Sequence, residues 1–138
     1  MIGTEEQDAF IREHRFAVVT TLRKDGSPSN SAVFVAIDGD DITFSTTEDR
    51  LKTRTIENDP RVAVTLADGA PPFRYLTIEG SGSIQRDNIV PAHVELNRSM
   101  RGDPNWEAPE NFEEMLKQQG RLVVRVKPER VSGILQRG

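Results

Sequence analysis

The sequence predicts a mainly β protein in which short helices interrupt a largely antiparallel sheet. Runs of Val, Thr, Ile and Phe alternate with polar residues at a period of two, and tight-turn words such as Lys24-Asp25-Gly26-Ser27-Pro28 and Asp38-Gly39-Asp40 separate them. Most connections between successive strands are too short for the crossovers that parallel pairing needs.

Thr4 followed by Gln7 has the spacing of a capping box, and Phe10 and Ile11 supply an apolar stripe, so residues 4–14 read as an opening helix. Phe16 to Leu22 and Ser29 to Asp38 flank the first turn and form a hairpin. Asp41-Ile42-Thr43-Phe44-Ser45 alternates behind the second turn, which extends the hairpin into a three-stranded meander. Residues 48–58 gain charge and lose alternation, reading as a helix with Thr47 as its candidate cap, Leu51 and Ile56 as thin apolar content, and Asn58-Asp59-Pro60 as its stop.

Arg61 to Ala67 and Phe73 to Gln85 follow as strands around the turn Asp68-Gly69-Ala70-Pro71-Pro72. Gly80 and Gly82 inside the second of these mark a bulge, a close approach or a sharp bend, and a bend is the plainest expectation. Asn88 to Met100 is helical in pattern with Pro91 near its first turn, residues 102–110 form a loop, and Asn111 with Glu114 opens a helix that Gly120 ends. Leu122 to Val126 and Val131 to Leu135, separated by Lys127-Pro128-Glu129-Arg130, complete about seven strands and four helices.

The 138 residues fall in the single-domain range, and one domain over residues 1–138 is expected. A net charge of −4 gives no general attraction to nucleic acid or anionic membranes, so any anion site must be a local cluster. The absence of cysteine removes disulfides, thiolate metal sites and cysteine nucleophiles from consideration. No apolar run approaches the ~20 residues of a membrane span, and the acidic N-terminus lacks a signal-peptide pattern, so a cytoplasmic protein is expected.

Neither a nucleophile elbow nor a P-loop occurs, and Gly80-Ser81-Gly82 lies too deep in a strand to be a dinucleotide fingerprint. His14 and His93 lie in separate helices without metal-ligand spacing and read as ordinary, partly exposed residues. One segment is chemically distinctive. Ser45-Thr46-Thr47 ends a strand, and Arg50, Lys52, Thr53 and Arg54 follow at a helix start, a mixture of hydroxyls, free N–H groups and cations suited to phosphate. The same residues are also compatible with a solvated helical face balanced by Glu48, Asp49 and Glu57. On an ideal helix Lys52 lies about 200° around from Arg50, so the cations cannot all share one face.

The order of these elements, the segment Phe44-Ser45-Thr46-Thr47…Arg50-Leu51-Lys52-Thr53-Arg54…Asn58-Asp59-Pro60-Arg61-Val62 and the later Tyr75-Leu76-Thr77-Ile78-Glu79-Gly80 resemble the pyridoxamine-phosphate-oxidase-like split barrels. Within that superfamily the Arg-x-Lys-Thr-Arg run and the Val131-Ser132-Gly133 end are most similar to the F420-dependent (deazaflavin) reductases, over roughly residues 5–135. The resemblance implies an antiparallel split β-barrel, a homodimer with the cofactor at the subunit interface, and coenzyme F420 or, alternatively, FMN as that cofactor. It further implies that Arg50, Lys52, Thr53 and Arg54 clamp the phosphate and tail. Ser45, Thr46 and Thr47 would run along the ring and ribityl chain, Asn30, Ser31 and Val33 would face the ring, and Phe73 and Tyr75 would line the tail or substrate side.

The activity so implied is hydride transfer to a small electron-poor substrate. The rivals are an FMN-binding oxidase or carrier of the same fold and a non-catalytic binding module. No counterpart of a basic C-terminal substrate motif is present, so oxidation of pyridoxamine phosphate is not expected.

Overall fold

The computed structural model describes residues 1–136. Among them the chain forms α1 (Glu5–Glu13), β1 (Phe16–Leu22), β2 (Pro28–Phe34), β3 (Ala36–Asp38), β4 (Asp41–Thr47), α2 (Leu51–Asn58), β5 (Arg61–Ala67), β6 (Tyr75–Gln85), α3 (Val90–Arg101), α4 (Phe112–Gln118) and β7 (Arg121–Ile134). All seven strands join one antiparallel sheet in the order β2-β1-β5-β6-β7-β4-β3.

That order constrains the shape. β2 and β3 stand at opposite edges, yet Val35 alone separates them in the chain. Two residues apart, their ends can be at most about 7 Å from each other, whereas a flat sheet of seven strands would hold its edges about 29 Å apart. The sheet therefore curls until β2 packs against β4, and the result is a split barrel. Val35 is fully buried at the crossing, where its N–H donates to the Arg15 carbonyl and its own carbonyl accepts from the Ser99 hydroxyl at 2.7 Å.

This crossing corrects two expectations. Residues 29–38 are not one strand, and β4 does not extend a meander, because β2 pairs with β1 while β3 pairs with β4. A compensating merger occurs at the other end of the chain. Residues 122–126 and 131–134 belong to the continuous β7, which ends before Leu135 and in which Pro128 faces Gly80 at a register shift, a bulge position where a sheet tolerates proline. Gly80 thus marks a bulge and a close approach rather than a simple bend, since an added Cβ would lie 2.1 Å from the Lys127 carbonyl oxygen.

The capping box at Thr4 and Gln7 forms as its spacing predicts, and β1 and β5 have the bounds read from the sequence. The second helix starts later than expected. Thr47 is the last residue of β4, paired with Arg121, and its hydroxyl bonds the Asp49 carboxylate, so it does not cap α2. Asn111 likewise forms no capping box, because its backbone (φ −92°, ψ 21°) is outside the extended region that capping requires. β6 begins at Tyr75 rather than Phe73, whose φ of 59° takes it out of the strand, while Arg74 turns to bond Asp68.

Ile42, Phe44, Val64, Leu76, Ile78, Val124 and Val126 are fully buried inside the barrel, each contributing about 1.5–3 kcal/mol. α2 closes one end, and threonine supplies what its apolar content lacks. Ile56 is buried but Leu51 is exposed, and the buried Thr53 and Thr55 hydroxyls bond Thr46 at 3.0 Å and Thr21 at 2.8 Å. α1 is tied down by His14, which stacks on Phe10 and bonds Asp68. Two hydrogen bonds from the Arg74 side chain, then one from its backbone N–H and the His14 contact, hold the Asp68 carboxyl far below the usual carboxylate range. α3 and α4 cover the outer face of β7 through Ile89, Ala92, Phe112, Leu116 and Val123.

Replacing Gly80 with Ala is expected to destabilise the protein by about 2–4 kcal/mol, because backbone rather than a flexible side chain must give way. A fall in the urea midpoint at unchanged denaturant slope measures it.

Candidate functional site

Closure of the barrel at the β2–β4 seam leaves a cleft of about 670 Å3 between these strands and the α3–α4 cover. Its walls are largely apolar: Val33 and Phe34 from β2, Leu96 and Met100 from α3, Trp106 from the connection, and Phe112 and Met115 around α4. Trp106 is held edge-on to Phe112, with ring centroids 5.5 Å apart. Polar side chains complete the lining, among them Ser45, His93 and Arg121 and the exposed Arg101 and Glu107. A mostly apolar hollow with a small number of placed polar groups is the usual form of a site for a small organic ligand.

His93 projects from α3 toward β4 and is 3 % exposed. Its Nε2 is 2.8 Å from the Ser45 Oγ and its Nδ1 is 2.8 Å from the Ile89 carbonyl oxygen. Burial pushes the imidazole pKa down; the Ile89 bond opposes that, and the nearby Arg121 charge reinforces it.

Arg121 opens β7 opposite Thr47 and ties the cleft to the cations of the β4–α2 corner. Lys52 is half-buried, and burial, then the charges of Arg50 and Arg121, push its ammonium pKa down. Arg50 can approach Lys52 because it is the extended residue before α2 (φ −77°, ψ 142°), so the 200° separation of an ideal helix does not apply. Among the described residues, Arg50, Lys52, Arg54 and Arg121 form no ion pair. Three like charges converge there; the nearby Asp49 carboxylate bears on Arg50 without bonding it, and the positive surplus that remains is the electrostatic condition for holding an anion.

The residues singled out in the sequence divide into groups. Val33 and Ser45 line the cleft, and Arg50 and Lys52 form the cation corner beside Arg121. Thr46 and Thr53 are buried, with Thr53 also donating to the Thr47 carbonyl at 2.7 Å, so their hydroxyls join strand to helix. Arg54 is exposed on α2, and Thr47 is half-buried beside Asp49. Ser31 shares the alternating face of Val33, while Asn30 is on the opposite face and accepts from Thr20 at 2.6 Å. Phe73 and Tyr75 do not line this cleft.

His93 and Arg121 were missed, and the expectation of a partly exposed His93 is corrected. Residue spacing carried no signal for either, since the Ser45–His93 contact joins positions 48 apart in the chain. Arg121 could have been found only by knowing that it pairs with Thr47.

A family model described as pyridoxamine 5'-phosphate oxidase matches residues 4–135. Among solved structures, a conserved hypothetical protein from Mycobacterium tuberculosis superposes with a TM-score of 0.80 at 21% identity, covering 97% of this chain and 85% of its own. A protein described as an F420 reductase is similar at 28% identity and a TM-score of 0.71, with 91% of this chain and 94% of that chain covered. The heme storage protein of Vibrio cholerae shares the fold at 18% identity and a TM-score of 0.70, over 96% and 94% of the two chains. No curated protein sequence matches.

Because the folded state disfavours the His93 imidazolium, its folded pKa lies below the ~6.5 of an unfolded histidine. The unfolded chain then binds more protons as pH falls below that value, and the neutral ring's contribution to stability is lost. His93→Gln is expected to lower stability at pH 7.5 and to lose less than the wild type as pH falls to 5, measured by urea denaturation at both pH values.

Proposed function

The chain belongs to the pyridoxamine 5'-phosphate oxidase family, and from that premise we propose that it is an F420-dependent reductase that transfers hydride to a small electron-poor organic molecule. The observation that carries this reading is the continuity of the apolar cleft, through Arg121, with the positive charges of Lys52 and Arg50. An extended flat ring, apolar over its faces and polar at one edge, with an anionic tail fits both halves. The similarity to a protein described as an F420 reductase supports the choice of deazaflavin.

In this reading Val33, Ser31 and Ser45 contact the ring, Thr47 borders the ribityl chain, and Arg50, Lys52, Arg54 and Arg121 hold the phosphate and tail. Thr46 and Thr53 act by fixing the corner that presents these cations. The bound deazaflavin supplies the hydride. The chain orients its ligands between Phe34, Trp106 and Met100 and keeps water from the reacting centre. No catalytic triad or paired carboxylate is required for that task.

The cleft reaches the surface at Phe34, which belongs to an exposed apolar stripe. Phe16 (58% exposed) and Val18 (45%) of β1 adjoin Phe34 and Ala32 of β2 on one outward face, with Phe16 and Phe34 rings 4.9 Å apart. That stripe supports a homodimer in which the partner completes the site, the arrangement in which Phe73 and Tyr75 would meet a ligand. Phe16→Asp is expected to give a monomer by light scattering and to weaken cofactor binding; a variant that stays dimeric with unchanged affinity removes the stripe as the interface.

FMN is the rival ligand, since its terminal phosphate suits the same cations. Fluorescence titration with both compounds separates them, and FMN binding without F420 binding overturns the choice made here. Lys52→Ala is expected to weaken binding by about 1.5–3 kcal/mol through loss of a charge-assisted contact. Unchanged affinity in that variant excludes Lys52 from the site. Cofactor binding without turnover of enones, nitroaromatics and biliverdin would make the protein a carrier instead.

A further inference from the structure

The buried Ser45–His93 contact has a fixed direction. The Ile89 carbonyl, 2.8 Å from Nδ1, can only accept, so Nδ1 carries the ring proton. Nε2 of the neutral imidazole is then an acceptor, and the Ser45 hydroxyl, 2.8 Å away, donates to it. A serine hydroxyl has one proton and two lone pairs. With the proton directed at His93, Ser45 meets the cleft only as an acceptor.

We propose that the Ser45–His93 pair is a specificity-determining element that selects a ring ligand bearing an N–H where the ring meets Ser45. The assignment rests on the cofactor reading above, and the group selected is the imide N–H of the pyrimidine-like ring that flavin and deazaflavin share. His93 acts through Ser45, as a positioning residue, by holding the hydroxyl proton away from the ligand.

Protonation would reverse the polarity. An imidazolium would donate from Nε2 to Ser45, whose proton would turn toward the cleft and oppose the ligand N–H. The charged groups that share the cleft are Arg101 of α3, Glu107 of the α3–α4 connection and Arg121 of β7, while β2 and α4 bring only uncharged side chains to it. Of these charges, Arg121 bears on His93 and, with burial, disfavours the imidazolium. The acceptor polarity is therefore the resting one at neutral pH.

The test compares FMN with N3-methyl-FMN, and F420 with N3-methyl-F420, so that the anionic tail cancels within each pair. At pH 8 the wild type is expected to bind the unmethylated member about ten-fold more tightly, the scale of one hydrogen bond lost with its acceptor left unpaired. Ser45→Thr should keep that preference and Ser45→Ala should lose it. His93→Gln should weaken it, because a side-chain amide can donate to Ser45 as well as accept from it, so the hydroxyl proton is no longer held away from the ligand. In the wild type the preference should shrink as pH falls toward 5.

Should His93→Gln not fold, nitrogen NMR of the wild-type imidazole reports the same property. The Nδ1–H tautomer is expected, with a pKa that the unmethylated ligand lowers more than the methylated one. Equal affinity for the two members of a pair, a preference that survives in Ser45→Ala, or an Nε2–H tautomer overturns the assignment while leaving cofactor binding intact. Absence of binding by FMN and F420 alike overturns the cofactor reading and this assignment together.

Discussion

The chain has a single residue, Val35, in which to pass from one edge of a seven-stranded sheet to the other. Hydrogen bonding alone would let such a sheet stay open. The covalent link does not, and its buried position between the Arg15 carbonyl and the Ser99 hydroxyl holds the crossing where closure requires it. The geometry of the candidate site is a product of that closure. β2 and β4 make no ladder with each other, yet they are brought close enough for Val33 and Ser45 to border one cleft.

A second constraint acts at the β4–α2 corner. α2 has only Ile56 as a large buried apolar side chain, too little to anchor a helix of eight residues by the hydrophobic effect. The Thr53–Thr46 and Thr55–Thr21 hydroxyl pairs make up the difference with directional bonds inside the protein, where such bonds are strengthened by the low local dielectric. Direction matters here because the corner carries Arg50 and Lys52 toward Arg121 against their mutual repulsion. An otherwise acidic chain thereby concentrates positive charge at one end of its apolar cleft.

Much of the fold was legible because local chemistry and tertiary structure agree. The alternation in β1 and β5, the Thr4–Gln7 capping box and the turns at Gly26 and Gly39 follow from short-range rules. The break at Val35 was not legible, since Ser29 to Asp38 has uniform strand chemistry and only the rest of the sheet decides where it divides. The joining of β7 across Pro128 was hidden for the converse reason: a turn-like word is absorbed by a bulge whose partner, Gly80, lies far away in the chain. For the candidate site, Lys52 and Ser45 stand out from their neighbouring residues in the sequence, whereas His93 and Arg121 reach the cleft only through helix packing and strand register.

The seam has one more property. β2 pairs with β1 along its whole length but on one side only, and its residues Val33 and Phe34 border the cleft. An edge strand keeps a row of main-chain donors and acceptors that no neighbouring strand satisfies. Where Val33 and Phe34 border the cleft, that edge offers peptide groups beside the side chains, and peptide groups are unchanged when residues are substituted. Descendants of this chain can alter Val33 or Phe34, and with them the shape of what is accepted, while the backbone contribution to holding it passes on with the fold.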